Sequence, residues 1–95
     1  MLYEKILIIG KTIKGIKFRP SDWAERLYYT VASYDKNGRA IFNPLVNLNQ
    51  KKNSKCFVIN TKLQNKDPMI YDFLIDFVIS NDLETRDQDD NLIRL

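Results

Sequence analysis

Apolar residues fall in short runs separated by turn formers, and the period of each run names an element. Residues 4–9 and 13–18 are rich in β-formers and are separated by Gly10-Lys11-Thr12, the pattern of an opening hairpin with a three-residue loop. Gly15 reads as a bulge in the second of these strands. Pro20 stops the strand, Ser21 can accept a backbone N–H as N-cap, and Asp22 complements the dipole of the helix that follows. At about 100° per residue, Trp23, Ala24, Leu27, Tyr28, Val31 and Tyr34 share one side, opposite Asp22, Glu25, Arg26, Tyr29 and Ser33. That predicts an amphipathic helix laid on a sheet. Asp35-Lys36-Asn37-Gly38 ends it; Asn-Gly is also a hairpin turn, so residues 29–34 could instead be a strand, but the helix is the preferred reading.

In the second half, Ala40, Phe42, Val46 and Leu48 alternate with polar positions, while Pro44, lacking an amide donor, belongs at a sheet edge or bulge. The run at 56–63 has the consecutive apolar residues of a central strand. Between them, the polar and basic residues 49–55 read as a loop. Asp67-Pro68 pairs an N-cap with a proline at the first helical position, which predicts a closing helix over 68–80 with Asn81 at its end. The expectation is one small α+β domain over residues 1–84, in the order ββαββα, with two helices on one face of an antiparallel sheet. Residues 85–95 read as an acidic tail.

The closing helix is apolar on more than one side. Ile70, Phe73, Leu74 and Phe77 form a main stripe suited to the sheet, and Tyr71, Ile75, Val78 and Ile79 extend around the back. Either the C-terminal residues or the first helix cover this second stripe, or Tyr71, Ile75 and Ile79 form a surface for a partner, a second copy being the simplest case.

Charge sharpens the picture more than composition does. The net charge is only +3, yet residues 1–66 carry thirteen of the fifteen Lys and Arg against four acids, whereas residues 67–95 carry two against eight. A chain so divided can attract a polyanion at one end or pair with itself. Lys11, Lys14, Lys17, Lys51, Lys52 and Lys55, with Arg19, are the candidate nucleic-acid contacts. The 44% hydrophobic content suffices for a core, and no apolar run approaches the ~20 residues of a membrane span. Cys56, the one cysteine, cannot form an internal disulfide and sits in an apolar run, which leans towards a reducing, cytoplasmic setting.

Most catalytic chemistries lack their residues. The chain contains no histidine and one cysteine, so histidine bases, Cys–His pairs and cysteine or histidine metal clusters within the chain have no donors. Gly10-Lys11-Thr12 imitates the end of a phosphate-binding loop, but that motif needs a glycine where Lys5 stands. Asp87, Asp89 and Asp90 lack the spacing of a calcium loop. No catalytic, cofactor or metal site is expected.

What remains is Phe18-Arg19-Pro20-Ser21-Asp22-Trp23-Ala24-Glu25-Arg26-Leu27, which holds four charges and the chain's tryptophan. With the Cys56-Phe57-Val58 strand and the Pro68-led helix ending near Asn81-Asp82-Leu83, this segment resembles a small family of uncharacterised proteobacterial proteins. The resemblance covers about residues 6–83 and implies a shared fold and a cytoplasmic bacterial setting, with no reaction attached. Trp23 is expected to anchor the helix to the sheet. Arg19, Asp22 and Arg26 are candidate interaction residues, with Asp22 and Arg26 spaced for an i,i+4 pair. The functional expectation is a small non-enzymatic protein-interaction or regulatory module, with self-association as one form of that interaction and nucleic-acid binding as the alternative.

Overall fold

The computed structural model describes residues 3–51 and 54–95, with the backbone alone for Gln50, Lys51 and Ser54. The elements are β1 (Lys5–Thr12), α1 (Trp23–Thr30), β2 (Ser33–Tyr34), β3 (Ala40–Ile41), β4 (Val46–Lys51), β5 (Ser54–Asn60), α2 (Leu63–Lys66), α3 (Pro68–Ser80), β6 (Leu83–Arg86) and β7 (Leu92–Ile93). Five strands form one antiparallel sheet in the order β4-β5-β1-β6-β7, while β2 and β3 form a separate ribbon.

Register explains the single core. Ile6 faces Ile59 and Ile8 faces Phe57 across β1 and β5, so these four lie on one side of the pleat. They join the buried residues Trp23, Ala24 and Leu27 of α1 and Tyr71, Leu74 and Val78 of α3 in one cluster. Both helices therefore cover the same face of the sheet. The α+β class matches the sequence pattern, and β5 is an interior strand, paired on both sides, with β1 in the middle of the sheet.

The element order does not. Instead of breaking at Gly10, β1 runs on through Thr12, and residues 13–18 form no second strand. The chain turns at Thr12–Ile16: Thr12 N donates to Ile16 O at 2.8 Å, Gly15 N donates to Thr12 O at 2.8 Å, and Gly15 has φ +85°. Gly15 is thus the turn residue rather than a bulge, because that left-handed conformation strains any residue with a Cβ. A single bridge, Lys11 to Lys17, is what remains of the expected hairpin.

The first helix also departs from expectation. Asp22, not Ser21, occupies the N-cap, and its carboxylate bonds to Arg26 rather than to a backbone amide. The helix stops at Thr30, because Asp35-Lys36-Asn37-Gly38 acts as a hairpin turn. Asp35 Oδ1 accepts from Asn37 N and Arg39 N at 2.8 and 2.9 Å, Gly38 takes φ +78°, and Tyr34 pairs with Ala40. Residues 29–30 are accordingly helical and 33–34 extended.

The expected basic loop at 49–55 is mostly strand. β4 pairs with β5 from Val46 opposite Ile59 to Lys51 opposite Ser54, since an antiparallel ladder tolerates polar residues on its open face. β5 ends at Asn60, and Leu63 begins the short α2. At α3, Asp67 Oδ1 accepts from Ile70 N at 3.2 Å with Pro68 at the helix start, and Asn81 is the C-cap.

Residues 85–95 are not a tail. Thr85 is buried opposite Ile8, and its hydroxyl donates to Ile93 O at 2.8 Å. The acidic residues build the turn of a hairpin: Asp87 Oδ1 accepts from Asp89 N and Asn91 N, both at 2.9 Å. Gln88 Oε1 accepts from the backbone of Glu4 and Lys5, tying this end to the start of β1.

Candidate functional site

α1 lies over β4 and β5, and α3 packs against β6, leaving an apolar groove between the two helices. Phe18, Pro20, Trp23, Arg26, Leu27 and Thr30 line one side and Phe73 and Phe77 the other, around a volume of about 190 Å³. Five of these eight residues come from the 18–27 segment. The segment can line the groove because the chain returns from the turn after β1 alongside it: Phe18 N donates to Gly10 O at 3.0 Å, and Trp23 N donates to Pro20 O at 3.0 Å. A cis peptide joins Arg19 to Pro20.

The aromatic wall is edge-to-face. Phe18 meets Trp23 at 5.8 Å between centroids and 71°, and meets Phe77 at 5.9 Å and 84°, the geometry in which a ring edge faces the negative face of its neighbour. Trp23 is only 5% exposed and Leu27 is also buried, so the groove floor is continuous with the core. A Cβ at Gly10 would stand 3.2 Å from Trp23 Nε1, so the indole reaches β1 because residue 10 has no side chain.

Charges border this apolar slot. Arg26 Nε bonds to Asp22 Oδ2 at 2.9 Å, and this hydrogen bond holds the Asp22 carboxyl below the usual carboxylate range. The pair is exposed, so it orients the guanidinium more than it stabilises the fold. Arg19 is exposed between the groove-lining Phe18 and Pro20 and makes no ion pair with the described residues. Thr30 Oγ1 donates to Arg26 O at 2.7 Å, closing the other end of α1.

The sequence-predicted residues are dispersed. Of Arg19, Asp22 and Arg26, Arg26 lines the groove, Asp22 bonds to it, and Arg19 lies in sequence between the lining residues Phe18 and Pro20. Tyr71, Ile75 and Ile79 do not form an exposed patch: Tyr71 is 7% exposed and in the core, where burial pushes its phenol up, Ile75 is half-buried, and only Ile79 lies open. The inward stripe of α3 is centred on Tyr71, Leu74 and Val78, one position round from the expected one, and this rotation turns Phe73 out towards α1. Of the candidate nucleic-acid contacts, Lys55 pairs with Glu25 at 2.6 Å and Lys11 with Glu84 at 3.8 Å. Lys14 and Lys17 are exposed near the Gly15 turn, and Lys52 and the side chain of Lys51 lie outside the described residues. Of the eight lining residues only Arg26 is among the sequence-predicted interaction residues; Phe18, Pro20, Trp23 and Leu27 lie in the 18–27 segment but not as expected contacts, and Thr30, Phe73 and Phe77 were missed altogether. Among the described residues no group of three or more His, Cys, Asp or Glu could hold a metal ion, and no helix is long and apolar enough to cross a membrane.

The family of proteins of unknown function DUF3579 matches residues 2–88. The chain belongs to this family. A solution structure described as the first structural representative of its family superposes with a TM-score of 0.89 at 29% identity, covering 98% of this chain and 86% of the other. No curated protein matches. The family match spans both walls of the groove, since Phe18 through Phe77 all lie within it.

Proposed function

We propose that this DUF3579 protein is a small non-enzymatic interaction module of the bacterial cytoplasm, and that the groove between α1 and α3 receives an apolar side chain of a protein partner. The observation that carries this reading is the groove's composition: five aromatic or aliphatic side chains and Pro20, with Arg26 and Thr30 as the polar members. Pockets that anchor protein partners combine buried aromatic walls with an arginine rim, and such residues dominate binding energy. A volume of about 190 Å³ suits one side chain, because an engineered cavity of about 150 Å³ is known to hold a benzene ring. Cys56, buried and in no disulfide, accords with a reducing compartment. The nucleic-acid alternative draws less support, since Lys11 and Lys55 are already engaged by Glu84 and Glu25.

Selection of a displayed random-peptide library on the intact protein tests the reading. Thr30 stands exposed at the rim, so Thr30→Phe plugs the groove without entering the core. Peptides with a shared bulky apolar anchor that bind the wild type and not Thr30→Phe are expected. Peptides that bind both equally would place recognition elsewhere.

A further inference from the structure

We infer that the partner seated in this groove is a second copy of the same chain, related by a two-fold axis. The inference rests on the groove being a docking site and names its occupant. The two walls carry opposite charges. On the α1 side stand Arg19 and Arg26. On the α3 side Asp76 is exposed, about one helical turn from the groove-lining Phe73 and adjacent in sequence to Phe77. Arg26 is partly neutralised by Asp22, but neither Arg19 nor Asp76 has an ion-pair partner among the described residues.

A partner of uniform charge meets repulsion from one wall or the other. A two-fold axis instead brings the α1 wall of each protomer onto the α3 wall of its mate, so Arg19 of each protomer faces Asp76 of the other, twice over. The side chain to fill the slot is present as well. Met69 is 83% exposed, one helical turn before Phe73, which is itself 45% exposed, and i,i+4 spacing puts both on one side of α3. The two therefore add apolar surface on the α3 side of the groove that a second copy can cover. Methionine is unbranched and adapts to irregular pockets, and it matches a slot that holds one side chain.

Sedimentation of the intact protein from micromolar to millimolar concentration tests this. The mass is expected to rise from 11.2 kDa towards twice that value. Arg19→Asp and Asp76→Arg should each raise the dissociation constant about tenfold or more, each change acting twice in a two-fold interface, and the double variant should recover most of the loss. Met69→Ser should weaken the dimer without touching charge. All three positions are exposed, so the variants keep the fold, and an unchanged circular dichroism melt verifies it. A wild type that stays monomeric throughout, a dimer indifferent to all three variants, or a double swap that fails to recover would each overturn the second copy as occupant. A monomeric wild type that still binds an apolar probe in the groove leaves the docking site standing. Loss of both overturns the two readings together.

Discussion

Trp23 serves the core and the groove with one side chain. Its indole packs on Gly10 of β1 and meets Phe18 edge-on, so its removal opens both a cavity beneath α1 and the floor of the slot. Trp23→Ala is expected to cost about 3–5 kcal/mol, the range for deleting a large buried aromatic, and to leave so small a domain largely unfolded in a denaturant titration. Gly10→Ala is expected to cost about 1–3 kcal/mol, because the added methyl overpacks the contact with Trp23 Nε1. A blue-shifted tryptophan emission in the native protein checks the burial directly, and a water-like maximum would contradict it. Phe73 differs in kind: half out of the surface, it can be changed to Ser with little loss of stability while the groove loses one wall.

At the scale of elements, the C-terminal hairpin is held by an acidic turn, which makes it sensitive to acid. Backbone N–H groups of Asn91 and Asp89 stabilise the Asp87 carboxylate and keep its pKa below the ordinary value of about 3.9. A group whose folded pKa is depressed contributes stability above the unfolded value, and that contribution is lost as pH falls through the folded value. The protection of the Asp89 and Asn91 amides against exchange, relative to their intrinsic rates, should therefore fall below about pH 4 before that of β1 and β5. A uniform fall in protection across the sheet would show that the hairpin does not open on its own. Local chemistry also decides which elements could be read from sequence. Asp67-Pro68 marked the start of α3, since cap and proline act within one turn. Residues 29–34 stayed ambiguous because helical periodicity and the Asn37-Gly38 turn compete there, and the turn takes the last two residues of the segment. The 85–95 stretch looked like a solvated tail because its turn is built from aspartates, and only the pairing of β6 with β1 reveals why Thr85 is buried.

At the scale of the whole molecule, the site depends on how α3 is rotated over the sheet, and periodicity alone does not set that angle. Ile70, Phe73, Leu74 and Phe77 are as good an inward stripe on paper as Tyr71, Leu74 and Val78; the second wins when α1 and the sheet are already in place. The motif residues Phe18, Trp23 and Arg26 were visible from the sequence, but the opposite wall was not, because nothing in the spacing of Phe73 and Phe77 distinguishes a groove from a core. The charge division between the two parts of the chain reappears in miniature at the slot, with Arg19 and Arg26 on one wall and Asp76 on the other. The most direct measurement is a titration of the 15N-labelled protein with N-acetyl-phenylalaninamide, an uncharged probe with one aromatic side chain. The groove account predicts shifts concentrated at the Trp23 indole N–H, the Arg26 Nε–H and the amides of Phe18, Leu27, Phe73 and Phe77, abolished in Thr30→Phe. Shifts scattered over the sheet, or the same shifts in the plugged variant, would contradict it.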